Sequence, residues 1–343
     1  METVSWRSLR SLAAIALGFL LAGPEAHAQV NSGSNGSDGA FNPTTNIAIN
    51  MADHPAGIYH YTSVNISNGV TVTFIPNGNN TPVVWMVQSN CVINGTVDVS
   101  GTGANGAIFG ASGPGGYRGG NGGPTGGDGQ GPGGGVAIGI GGYGGRYATG
   151  FSPYGNQFLV PLLGGSGGGG ATNYLFGGGG GGGAILIAAS GQLLLGGAVN
   201  ARGGKDGSSF GNIAGGGSGG GVRIVAAGIG GNGSVNADGG SGWSSGGLGR
   251  VRFDVFDNNF SGVVTGVFTH GFQPIIIQAN GQGAQLTVTS VGGVPVSASP
   301  SGQLATPDAL LSAQQNNPIP FARGVARGVT NSRISPTNGY NEI

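Results

Sequence analysis

Three short stretches decide the fold: GTVDVSG at residues 95–101, GAVNARG at residues 197–203 and GSVNADG at residues 233–239. The later two copies start 36 residues apart, and each copy follows a segment with strand character: residues 84–87 (VWMV), 184–188 (AILIA) and 222–226 (VRIVA). Residues 251–255 (VRFDV) begin a fourth unit. Short strands recurring at a period of about 20 to 50 residues mark stacked units, each burying its apolar face against the next. The expected fold is all-β: a parallel β-helix or β-solenoid carrying a long glycine-rich loop insertion.

Stacking places equivalent positions above one another. Asp98, Asn200 and Asn236 then form a polar column, and Val97, Val199 and Val235 an apolar one. Amides can bond along such a column and branched side chains can interlock. Arg202 and Asp238 fall at the next equivalent position and can pair across units; an exposed pair of this kind contributes at most about 1 kcal/mol.

Outward from the repeats, residues 57–268 form the expected solenoid, with the glycine-rich insertion at residues 101–183. Before it, residues 1–28 have the plan of a secretory signal: Arg7 and Arg10, an apolar run over residues 12–22, and Ala26-His27-Ala28 ahead of the cut. That run is too short to span a bilayer, which takes about 20 residues. Residues 29–56 read as a polar leader, residues 269–298 as C-terminal strands or a cap, and residues 299–343 as a flexible tail. The expected location is extracellular or on the cell surface, with the periplasm as a further possibility.

The 343 residues include 81 glycines, and only 7% are charged against about a quarter in ordinary proteins. Without residues 1–28 the chain has ten basic and ten acidic side chains, a balance that points away from nucleic acid and anionic membrane. The single cysteine, Cys91, excludes an intrachain disulfide and reads as a buried thiol.

The glycine runs do not have the order of a phosphate loop, which places glycines after a strand and before a helix. The run at residues 177–183 precedes a strand instead. Two Gly-x-Ser-x-Gly matches, at residues 164–168 and 216–220, lack the strand and helix of a hydrolase elbow. Asp206 and Asp238 sit in glycine turns reminiscent of calcium loops, but calcium needs six to eight oxygens and the full repeat is missing. No cofactor or metal is expected.

Two constellations remain as candidates. Arg250, Arg252 and Asp254 alternate along the fourth strand and can share one sheet face, the arrangement a polysaccharide-degrading β-helix would use. Tyr143, Tyr147 and Tyr154 stand in the glycine field of the insertion, as the contact residues of a carbohydrate-binding module would. The glycine run before Ala-Ile-Leu-Ile-Ala, followed by Gly-x-Val-Asn-Ala-x-Gly-Gly, resembles secreted glycine-rich bacterial β-helix proteins of adhesin type over residues 57–268. The resemblance implies a non-enzymatic, exported structural or adhesion protein of the cell envelope or matrix. Self-association, cell-surface contact or polysaccharide contact would be its partners.

Overall fold

A computed structural model describes residues 30–137, 141–142, 154–208, 214–271, 285–291, 294–295 and 322–327. The signal segment, Tyr143 and Tyr147 lie outside the described residues. Among those described the protein is almost wholly β, and its one helical turn is a 3-10 turn at Met51–Asp53.

The strands in chain order are β1 (Gly39–Phe41), β2 (Ile47–Asn50), β3 (Ile58–Ile66), β4 (Thr71–Ile75), β5 (Val83–Val87), β6 (Cys91–Ile93) and β7 (Thr96–Asp98). After the glycine-rich stretch come β8 (Ala184–Ala189), β9 (Gln192–Leu195), β10 (Ala198–Asn200), β11 (Gly221–Gly231), β12 (Ser234–Asn236), β13 (Arg250–Phe260), β14 (Val263–Thr265) and β15 (Val267–Gly271). All of them pair in parallel, in two sheets.

In the larger sheet the first half of β3 pairs with β5 and its second half with β6. The long β11 likewise pairs with β8 and then with β9. Six strands therefore close into a parallel barrel, β3-β5-β8-β11-β9-β6 and back to β3. The smaller sheet runs β14-β12-β10-β7-β4-β2. The four strand segments that precede or begin the repeat units, β5, β8, β11 and β13, lie side by side, and the repeat copies themselves, β7, β10 and β12, stack in register.

Alternation decides which side chains are interior. Ile185 and Ile187 of β8, Val222 and Ile224 of β11, and Val251 and Phe253 of β13 point into one core with Val97, Val199 and Val235 of the smaller sheet. Each such side chain, fully buried, contributes about 1.5–3 kcal/mol. At the N-terminal end Trp85 is enclosed by Phe41, Tyr61 and Phe74, with ring centroids 5.6, 5.8 and 6.0 Å away. Cys91 is fully buried in this core, and burial pushes its thiol pKa up to about 12. Strand β8 is buried on both faces, because Leu186 and Ala188 on its outer side meet Val30 and Leu162.

Two boundaries differ from expectation. Residues 29–56 hold β1 and β2, and Ser34 Oγ donates to the Tyr61 carbonyl while Asp38 Oδ2 accepts the His60 N–H. Ser34 and Asp38 fasten this segment to β3, so the fold begins earlier than residue 57. In the expected tail, β18 (Ala322–Arg327) pairs antiparallel with β16 (Gln285–Val291), which also pairs with β17 (Val294–Pro295).

Among the described residues the glycine-rich segments are not loops. Residues 177–183 run extended, and each residue donates to and accepts from a different neighbouring segment. Gly177, Gly180 and Gly183 donate to the carbonyls of Gly106, Thr102 and Val99; Gly178 and Gly181 donate to Gly120 and Tyr117; Gly179 and Gly182 donate to Gly215 and Ser218. Their own carbonyls accept from Gly110 and Gly113, from Gly165 and Gly168, and from Gly204 and Gly207. Six segments thus surround this one, bonded by thirds, the pattern of a three-residue extended helix that has no internal hydrogen bonds. Spacing this close excludes side chains: a Cβ on Gly179 would lie 1.9 Å from the Gly204 carbonyl oxygen, and one on Gly180 2.0 Å from that of Ala111. Residues 201–207, 214–220 and 237–249 join the same bundle, which therefore extends beyond the expected insertion.

Candidate functional site

Arg250, Arg252 and Asp254 do share the outer face of β13, where the pleat sends alternate residues outward. Parallel pairing sets Arg223 of β11 beside Arg252 and Val225 beside Asp254. Asp254 is wholly enclosed, and its Oδ2 accepts from Arg223 Nε and Arg252 Nε, both at 3.0 Å. Arg252 Nη2 lies 2.6 Å from Asp254 Oδ1, an ion pair outside the alignment of a hydrogen bond.

A flap over residues 154–163 seals this face. Phe158 lies under the Arg252 guanidinium with 5.0 Å to the ring centroid, and Thr269 Oγ1 donates to the Gln157 carbonyl. Arg250 turns away from Asp254, and its Nη2 donates to the Tyr154 carbonyl at 3.2 Å. The cavity beside Arg250, lined also by Leu159, Pro161 and Leu163, measures about 20 Å³, enough for a water and far too small for a sugar ring. A catalytic carboxylate must reach substrate or water, and Asp254 reaches neither. The cluster is a buried clamp joining β11, β13 and the flap.

Tyr154 is half-buried, and its hydroxyl is likewise tied to the protein. Its hydroxyl donates to the Gly164 carbonyl at 2.8 Å and accepts from Ser166 Oγ at 3.1 Å, and burial raises its pKa to about 12. Ser166 and Ser218, the serines of the two Gly-x-Ser-x-Gly matches, are fully buried, and Ser218 Oγ accepts the Ser166 N–H at 2.7 Å. They tie adjacent glycine segments and have no base beside them.

The polar column is a side-chain ladder. Asp98, Asn200 and Asn236 are register partners, and Asn236 Nδ2 donates to Asn200 Oδ1 at 2.7 Å. Thr265 Oγ1 continues it to Asn236 Oδ1 at 3.4 Å, whereas Asp98 Oδ1 turns to the Ser100 N–H. Arg202 and Asp238 approach to 3.9 Å at the surface. Among the described residues no three His, Cys, Asp or Glu side chains converge as a metal site. Asp206 is occupied by Ser208 and by the Trp243 N–H.

Open surface chemistry lies at the end of the glycine bundle remote from the sheets. Residues 99, 183 and 221 sit at the sheet end, so residues 106, 177 and 207 mark the distal end. Turns at residues 105–108, 123–126, 172–176 and 241–245 close the segments there. They are contiguous: Trp243 bonds Asp206, Gly207 bonds Gly177, Gly177 bonds Gly106, and Gly123 bridges Tyr174. Of the eleven exposed large apolar side chains among the described residues, the three most exposed, Leu175 at 69%, Trp243 at 66% and Ile108 at 62%, stand on these turns, as does Tyr174 at 47%. Sequence reasoning passed over Trp243, a lone aromatic in SGWSSGG; its one signal was a large ring among residues too small to bury it.

Comparison with protein-family models, with curated proteins and with solved structures finds no match.

Proposed function

We propose that this chain is an exported, non-enzymatic β-solenoid that acts in adhesion or self-association at the cell envelope or in the extracellular matrix. Each repeat unit supplies one strand to the rows of β5, β8, β11 and β13 and one to the rows of β7, β10 and β12, which is how a wound parallel stack is built. Residues 1–28 carry the signal plan, and no helix among the described residues is long and apolar enough to cross a membrane.

The observation that carries the proposal is the contrast between the two ends of the chemistry. The charged cluster that an enzyme would need is enclosed, with Asp254 fully buried between two arginines, while the three most exposed large apolar side chains among the described residues stand on turns at the end of a braced bundle. A binding surface benefits from such bracing, because ordering costs are met on folding and not on binding.

The test uses the mature chain purified after export. Attachment to cells, to matrix polysaccharide or to itself is the expected result, with no new reducing ends or unsaturated products from a polysaccharide panel. A monomeric chain that attaches to nothing refutes adhesion, and turnover of any polysaccharide refutes the non-enzymatic part.

A further inference from the structure

We infer that the distal end of the glycine bundle is a binding surface for a neutral glycan, with Trp243 and Tyr174 as stacking residues; this rests on the adhesion proposal and names its ligand class. The turns at residues 105–108, 123–126, 172–176 and 241–245 contain no Asp, Glu, Lys or Arg. An anionic polysaccharide, a nucleic acid or an anionic lipid surface draws on arginine and lysine for affinity, and these turns offer none. Beside the turns Asp206 is buried and bonded to Ser208 and the Trp243 N–H, and the exposed flanking charges, Lys205 and Asp128, are one of each sign, so the turns with their flanks carry no excess charge and an uncharged ligand suits them.

The side chains present suit a sugar. Indole and phenol rings offer an apolar face with a polar tip, which matches the C–H face and hydroxyl rim of a pyranose ring. Leu175 and Ile108 extend the apolar area, and the exposed amides of Asn105 and Asn173 stand on the same turns to meet hydroxyls. Backbone bonds pin the turns: the Trp243 N–H bonds the Ala214 carbonyl at 3.1 Å, the Asn173 N–H bonds the Gly123 carbonyl at 2.8 Å, and Asn105 and Ile108 bond each other at 3.0 and 3.1 Å. The rings are therefore mounted on fixed backbone.

The experiment presents the mature chain with insoluble cellulose, chitin and mannan, and with alginate as the anionic counterpart, at low and high salt. Expected is retention on at least one neutral glycan, insensitive to salt, with Trp243→Ala weakening it roughly tenfold or more and Tyr174→Ala adding to the loss. Phe256→Ala, an exposed aromatic on β13, is the control that leaves binding unchanged. Binding to alginate alone, or binding abolished by salt, overturns the inference. So does self-association that Trp243→Ala abolishes while no glycan is bound, since the occupant is then a second copy. A chain that attaches to cells equally well as Trp243→Ala/Tyr174→Ala overturns this inference and leaves adhesion standing; one that attaches to nothing overturns both.

Discussion

Replacing Gly180 with alanine tests the glycine bundle most directly. Gly180 does not occupy the left-handed region, so its backbone accepts alanine and only space opposes it. The added Cβ would sit 2.0 Å from the Ala111 carbonyl oxygen and 2.5 Å from its carbon, both backbone atoms that cannot rotate away. Segment 110–113 must then retreat by more than an ångström. That breaks Gly110 N–H to Gly178 and Gly113 N–H to Gly181, now 2.9 and 3.0 Å. Overpacking costs about 1–3 kcal/mol, and two backbone bonds add about 1 kcal/mol each. The stiffer unfolded chain returns about 0.4–1 kcal/mol. The net loss of about 3 kcal/mol lowers Tm by about 6–12 °C in a domain of this size. Scanning calorimetry on Gly180→Ala and on Gly78→Ala, whose added Cβ meets nothing within 4 Å, makes the comparison. A Tm for Gly180→Ala as close to the parent as that of Gly78→Ala would refute close packing in the bundle.

Further outcomes follow from the sheets and their outer face. Asp254→Ala leaves two arginines enclosed without their carboxylate and destabilises by about 3–5 kcal/mol in chemical denaturation, whereas Arg202→Ala, which removes only an exposed pair, changes stability by less than about 1 kcal/mol. Asn236→Ala loses its bonds to Asn200 and Ser234 and costs about 1–3 kcal/mol; a double-mutant cycle with Asn200→Ala gives a nonzero coupling, and additive losses would refute the ladder. Tyr59 and Tyr154 are both raised to about 12 from an ordinary 10.0, chiefly by burial, and Cys91 to about 12 from 9.0. The unfolded chain releases these protons first, so stability holds up to about pH 9 and falls as pH rises toward about 12. Phenolate absorbance followed alongside Tm should show both changing together in that window.

The sheets were legible because their signal is chemical contrast. Val199 and Asn200 recur as Val235 and Asn236, and a recurring apolar and polar pair specifies both register and facing. The bundle was not legible, because its period of three runs through residues of a single type: among seven consecutive glycines nothing marks which N–H faces which neighbour. The candidate cluster was half legible. Alternation placed Arg250, Arg252 and Asp254 on one face, but Arg223, 31 residues from Asp254, and the flap that seals the face belong to tertiary pairing. Tyr154 misled for a related reason: its partners Ser166 and Gly164 are reached only when the flap folds back. Trp243 stayed hidden since exposure depends on what fails to pack against a residue.

The hydrogen bonding of residues 177–183 by thirds sets a rule for how chain length can change. Each residue advances the donor direction by about a third of a turn. An insertion of one or two residues within a segment therefore aims every later N–H at the wrong neighbour, while three residues restore the pairing one step further out. Segment lengths in such a bundle are quantised in threes. The turns that join the segments lie outside this periodic pairing, so a change in their length leaves the register of the scaffold beneath them intact.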